Sequence, residues 1–177
     1  MNFETVLAGT KSFATSFIPF LLTAASVIAG LWLIFAAISA LFKKSSDSRG
    51  ASQEMSYGGI AGRFLVGGLM LRFGATVEDL SVLITGAGIQ DIGGVMAYAP
   101  MPQGAGPWQQ VIEVCLLWVV MLGWAGAFRG LLLWNKAASG GGSGGSAGDL
   151  MWQGLWHLVG GALCVNMSGA IQAFVGS

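Results

Sequence analysis

Apolar residues along this chain gather into four long segments, separated by polar or glycine-rich connections. The first runs from about Phe17 to Phe42, the third from Val111 to Trp134 and the fourth from Leu150 to Val175. At 1.5 Å of rise per residue each can cross a hydrocarbon core of ~30 Å as a helix. Pro19 is expected in the first turn of its helix, where a missing N–H costs little. The second segment, about Gly58 to Ile84, contains Arg63, Arg72, Glu78 and Asp79. It either spans or lies partly in the interface.

The expected fold is all-α and integral to a membrane, with four apolar helices arranged as two tandem helix–loop–helix hairpins. Residues 1–84 form the first unit with its N-terminal tail, 85–110 a Gly/Pro-rich extracytoplasmic connection, and 111–177 the second unit. Residues 43–57 and 135–149 read as flexible polar links within the hairpins. Basic residues set orientation. Lys43, Lys44, Arg49 and Lys136 lie in the two polar links, with Arg63 and Arg129 near the same side. Both links are therefore placed in the cytoplasm and both termini outside. The first apolar stretch exceeds the roughly 7–15 residues of a signal h-region, so it is read as a span and not as a leader.

A repeat supports the division into two units. Leu65-Val66-Gly67-Gly68 returns as Leu158-Val159-Gly160-Gly161, an offset of 93 residues. The same offset pairs Lys43 with Lys136, Ser46 with Ser139, Phe35 with Phe128, Gly30 with Gly123 and Val27 with Val120. Both units would share one orientation, which makes this a parallel repeat and not the inverted kind common in transporters.

Composition points the same way. Hydrophobic residues make up 54% of the chain and charged residues 9%, against ~25% charged in soluble domains. Mean hydropathy is +0.71. The formal net charge is +0, so no global field draws nucleic acid. Cys115 and Cys164 sit in apolar runs at different expected depths and read as free packed thiols. A lone histidine, His157, excludes multi-histidine metal sites. It falls opposite Phe64 in the other unit, which favours a packed ring.

Glycines at helical spacing are the main candidates for helix packing. They are Gly58 and Gly62, Gly126 and Gly130, and the repeated pairs Gly67, Gly68 and Gly160, Gly161, with Ala36 and Ala40 as a small-residue pair. The plain alternative is the ordinary glycine content of membrane helices. Arg72 is costly at membrane depth. It reads either as an ion pair with Asp79 or a snorkelling side chain, or, with Arg63, as a contact for an anionic lipid headgroup. Asn166 and Gln172 read as interhelical hydrogen-bond partners sooner than as solute ligands. Trp108, Trp134 and Trp152 fall at expected interfaces. The Gly/Ser run from Ser139 to Gly148 lacks the Gly-Lys-Ser/Thr of a phosphate loop, and Asp149 is expected to cap the fourth helix. No nucleophile–base pair or carboxylate dyad emerges, so catalysis is not expected. A small transporter remains an alternative because of Arg72, Asp79, Asn166 and Gln172, although no pair of broken helices is apparent.

The helix, short basic loop and second helix with both ends outside resemble the inner-membrane form of conjugative pilins. The stretch Gly123 to Phe174 resembles the type IVB secretion family of Dot/Icm-type and I-type conjugation systems. It does so through GWAGAFRGLLL (Gly123 to Leu133), the Gly/Ser-rich loop and WHLVGGALCVN (Trp156 to Asn166), and is similar to the small components IcmC/DotE and TraQ. That resemblance implies a structural subunit of an envelope export machine, pilin-like and assembling into a helical conjugative pilus for DNA transfer, or else an inner-membrane scaffold or channel component. It implies no cofactor beyond structural phospholipid. The implied partners are further copies of the chain, other secretion-system membrane subunits and membrane lipid, with DNA met only through a lumen. The implied location is the bacterial inner membrane and, after assembly, an extracellular pilus. By the pilin likeness, Lys43, Lys44, Arg49 and Lys136 would face the lumen.

Overall fold

Long apolar runs favour helices, which satisfy their backbone polar groups internally and so tolerate an environment without water. The computed structural model describes residues 3–46, 56–89, 106–140 and 146–175, and no strand occurs among them. Among these residues six helices follow in order: α1 (Phe3–Ser46), α2 (Tyr57–Leu71), α3 (Phe73–Thr85), α4 (Gly106–Ala138), α5 (Ala147–Val165) and α6 (Met167–Val175). Helix α1 begins far upstream of Phe17, so Pro19 lies inside it and not in its first turn. There the proline removes one internal backbone bond without ending the helix.

Two stretches are long and apolar enough to cross a membrane, Phe20–Ser45 and Val111–Ala138, with mean hydropathies of 2.3 and 2.1. The second segment is not one straight helix. It bends by 91° between α2 and α3. The 15 residues of α2 give a rod of roughly 22 Å, short of the hydrocarbon thickness. The fourth segment also breaks, at Asn166. Its first arm, α5, carries Asp149, Gln153 and His157 and is not among the spanning-length helices. Where four apolar helices were expected, the described residues hold two long helices of spanning length and two broken segments. The bent pair counts as a third span if its arms cross as a unit.

Serines start both second helices. The Ser56 side chain accepts from the Gly59 N–H at 3.1 Å. Ser146 is the N-cap of α5, and Asp149 completes a capping box at its third position. Asp149 thus caps through Ser146 instead of standing at the N-cap itself.

The helices pack as two similar antiparallel pairs. A Cβ built on Gly30 of α1 would lie 2.9 Å from the Gly67 carbonyl oxygen and 3.0 Å from the Leu71 nitrogen of α2. On Gly123 of α4 it would lie 2.8 Å from the Gly161 carbonyl oxygen and 3.0 Å from the Val165 nitrogen of α5. The same backbone atoms meet in both pairs, so Gly123 occupies the place of Gly30 and Gly161 that of Gly67. The first helices correspond at the 93-residue offset, whereas the second helices correspond one residue further on. The side chain opposite His157 is then Arg63, not Phe64.

Helices α1 and α2 lie against α4, and α3 lies against α5 and α6. The core between the two pairs contains Leu33, Val66, Met70, Phe73 and Val77 on one side and Ala127, Leu131, Leu158 and Val165 on the other. The Phe73 ring meets Trp124 and Phe128 edge-on, with centroids 5.6 and 5.7 Å away. Outside, Phe20, Ile28, Trp32, Phe35 and Phe42 are largely exposed. An apolar exterior of that kind suits hydrocarbon or a protein partner.

Candidate functional site

The two helix breaks are the most specific polar features of the fold. Arg72 ends α2 with φ −109° and ψ 36°. Asn166 ends α5 with φ −112° and ψ 53°. Each stands five residues beyond the glycine that contacts the long helix, so the breaks occupy corresponding positions in the two pairs. A break frees carbonyl groups that need donors. At Arg72, the Thr76 hydroxyl shares its proton between the carbonyls of Leu69 and Arg72, at 3.1 and 3.0 Å.

At Asn166 the side chain is fully buried and reaches across to the end of α3. Its Nδ2 faces the Ser81 hydroxyl at 2.7 Å and the Thr85 hydroxyl at 3.2 Å. The carbonyl oxygens of Ala87 and Gly88 each lie 3.0 Å away. Two amide protons are thus shared among four acceptors. Its Oδ1 accepts from the Gly169 N–H at 3.2 Å. Gly86, at φ 73°, turns the chain after α3 and sends its N–H to Val82. That left-handed turn, which glycine adopts without strain, brings the two carbonyls to Asn166. The side chain of Gln172 lies outside the described residues.

Arg72 is exposed, and no ion pair joins it to Asp79 among the described residues. The 91° bend takes Asp79 off the helical face expected to carry both. The α1–α2 register, with Gly30 beside Gly67 and Leu71, puts Arg72 level with about Val27, roughly 10 Å inside the Phe20 end of the apolar stretch by helical rise. From there the exposed side chain can extend toward that end of the apolar stretch, as a snorkelling arginine does. Arg63 faces the other end of the fold. Its Nε and Nη2 donate to the Ser139 hydroxyl at 3.2 and 2.8 Å, tying α2 to the end of α4. The two arginines are therefore not brought together. At that same end Lys43 and Lys136 are exposed, and Lys44 lies over the Tyr57 ring at 4.0 Å. Arg49 lies outside the described residues. Beside Arg63 is an apolar cleft of about 320 Å³, lined chiefly by Gly58, Gly62, Leu65, Trp134, Ala138 and Met151.

Only some of the candidate packing glycines are close to a neighbour. A Cβ on Gly62 would meet Ala138 Cβ at 2.8 Å, and one on Gly130 the Gly154 carbonyl oxygen at 2.7 Å. Gly67 and Gly161 pack as described above. Gly126 has room, its nearest neighbour lying 3.7 Å away, and Gly58 meets only the Ser56 hydroxyl. Gly68 and Gly160 have nothing within 4 Å, because the break register turns them away from the long helices. Likewise Ala37 of α1 is buried, at 0% exposure, while Ala36 and Ala40 are half-buried. Gly30, Gly123 and Gly154 are contacts that spacing alone did not reveal. The recurrence of Gly30 as Gly123 was the available signal.

The remaining candidates have local roles. His157 Nδ1 donates to the Gln153 carbonyl of its own helix at 2.8 Å. The Trp134 indole donates to the Met151 carbonyl at 3.0 Å and packs on Gly154, so it joins α4 to α5 near the end of the spanning stretch. Cys115 and Cys164 are free thiols. Among the described residues no cluster of three or more His, Cys, Asp or Glu side chains could hold a metal ion. Comparison with family models, curated proteins and solved structures returns no match.

The Arg72 break gives a simple expectation. Thr76→Val keeps shape but removes the donor shared by two carbonyls. It should cost about 1 kcal/mol in reversible unfolding from mixed micelles, and Thr76→Ser should restore most of it. Since the Arg72 carbonyl keeps the Thr76 N–H at 2.8 Å, an unchanged stability for the valine variant would show that the Leu69 carbonyl needs no hydroxyl donor.

Proposed function

We propose that this chain is a structural membrane subunit of a type IVB, I-type conjugative, secretion apparatus, pilin-like and built to assemble with further copies of itself. The observation that supports this reading best is the doubled glycine-packed helix pair with an apolar exterior. Such a body is made for side-by-side packing in a membrane, since close backbone approach supplies the association that lipid does not. We place the end bearing Lys43, Lys44, Arg63 and Lys136 in the cytoplasm, following the distribution of basic residues. In a filament this end would line the lumen. The apolar cleft lined by Gly58, Gly62, Leu65, Trp134, Ala138 and Met151 suits an acyl chain. Catalysis forms no part of the proposal.

A second reading, a small transporter or channel, gains from the paired breaks. Discontinuous helices at corresponding positions of two repeats are a common way to build a solute site, and the sequence by itself did not reveal them. Two facts favour the structural reading. The carbonyls at the Arg72 break are taken by Thr76, and the amide at the other break is consumed within the chain.

Electron microscopy of sheared surface filaments from cells expressing the whole transfer system, with mass spectrometry of their protein, tests the proposal. This chain should be a dominant filament subunit. Its confinement to the inner membrane would leave the scaffold version and remove the lumen assignment. Solute flux into liposomes that is abolished by Asn166→Leu would favour the transporter.

A further inference from the structure

The two helix pairs are alike in themselves but are not used alike where they meet. On α4, Met121, Trp124, Phe128 and Leu131 form a stripe at alternating four- and three-residue spacing. Met121 and Leu131 are buried, at 8% and 0% exposure. Trp124 and Phe128 close on Phe73 of the other pair. The stripe 93 residues earlier is Ile28, Leu31, Phe35 and Ile38 of α1. It is just as apolar, yet its members are 69, 57, 66 and 37% exposed.

The opposing surface shows the converse. Val66, Met70, Phe73 and Val77 of α2 and α3 are all buried in the contact, none more than 3% exposed. Their counterparts on α5 and α6, by the register of the glycine contacts, are Gly160, Cys164, Met167 and Ile171, all only half-buried. Helix α2 packs on α4, but α5 has no comparable packing on α1. Helix α3 packs on α5, but α6 has none on α2. The contact is head-to-tail, and a head-to-tail contact between like units leaves one unused head and one unused tail.

We infer that a second copy of this chain covers both. The α1 stripe of one copy docks on the α5–α6 face of the next, repeating between chains the contact already made within one. This rests on the reading of the protein as a self-assembling subunit, and specifies which surfaces meet. Each chain then adds two like units to a ring or filament. The inner contact also fixes the register. Gly62 over Ala138 and Phe73 against Phe128 place Met70 level with Leu131. Their counterparts are Cys164 and Ile38, so Cys164 of one copy should lie beside Ile38 of the next.

Oxidative cross-linking of two differently tagged chains tests this, both carrying Cys115→Ser. One also carries Ile38→Cys and Cys164→Ser, and the other keeps Cys164. Copper–phenanthroline treatment of native membranes should produce the mixed dimer and neither like-with-like dimer. Trp32→Cys in place of Ile38→Cys should give none, since its counterpart Ala125 is exposed in the inner contact. A dimer of two Ile38→Cys chains would overturn the head-to-tail arrangement. Absence of the mixed dimer, with mass measurement in lipid nanodiscs still showing multimers, would overturn this contact while leaving self-assembly standing. A monomer in nanodiscs would overturn both.

Discussion

Gly161→Ala is expected to destabilise the protein by about 2 kcal/mol, whereas Gly160→Ala should be neutral or stabilising. A methyl on Gly161 would sit 2.6 Å from the Gly123 carbonyl oxygen and 2.7 Å from the Ala127 nitrogen. Both are backbone atoms of a long helix, so relief requires α4 and α5 to separate along their contact. Overpacking of this kind typically costs 1–3 kcal/mol. The α1–α2 pair offers the same test at Gly67, where an Ile34 γ carbon lies at 2.8 Å but the nearest backbone atom, the Gly30 carbonyl oxygen, is further off at 3.1 Å. Gly67→Ala should therefore cost less than Gly161→Ala. Gly160 faces open space, and alanine is the better helix former by up to ~1 kcal/mol. Reversible unfolding in mixed micelles reads all three variants. Equal effects at adjacent residues 160 and 161 would mean that the glycine-to-glycine contact does not set the α4–α5 distance.

Replacing Asn166 by leucine should be at least as costly, about 2–4 kcal/mol. The loss combines several hydrogen bonds with buried acceptors left unsatisfied, each worth roughly 1–3 kcal/mol when stranded. The lower figure allows for the weaker hydrogen-bond contributions measured in membrane proteins. Exchange protection should fall first at residues 85–89, because the Asn166 amide holds the Ala87 and Gly88 carbonyls just beyond the end of α3. Asn166→Asp should be worse at neutral pH, since a buried carboxylate donates nothing to those carbonyls and carries a desolvation cost. If Asn166→Leu melts with the parent and leaves exchange at 85–89 unchanged, the amide is not what holds α3 to the second break.

Much of the helical framework was legible in the chain itself. Long apolar runs and scarce charge are one-dimensional quantities, and they marked both spanning-length helices. The polar links showed as local composition, and their serines cap α2 and α5. The recurrence of Gly30 as Gly123 already contained the correct correspondence of the long helices. Identity alone misjudged the second helices by one residue, because Leu-Val-Gly-Gly recurs as letters while the side facing the long helix depends on phase. One residue turns a helix by about 100°, enough to exchange a packed glycine for an open one.

By itself, then, the sequence determined an all-helical chain with apolar helices of membrane-spanning length, a basic polar end and two similar halves. Each of these follows from local composition and period. Only the tertiary structure decided that the second and fourth segments break, that Arg72 stands at one of the breaks, and that Asn166 holds α3. It also decided which glycines touch and which face of each half is left uncovered. These depend on distances between residues far apart in the chain. Hydrogen bonding over 85 positions from Asn166 to Ser81, and steric exclusion between helices, leave no local trace in the order of residues.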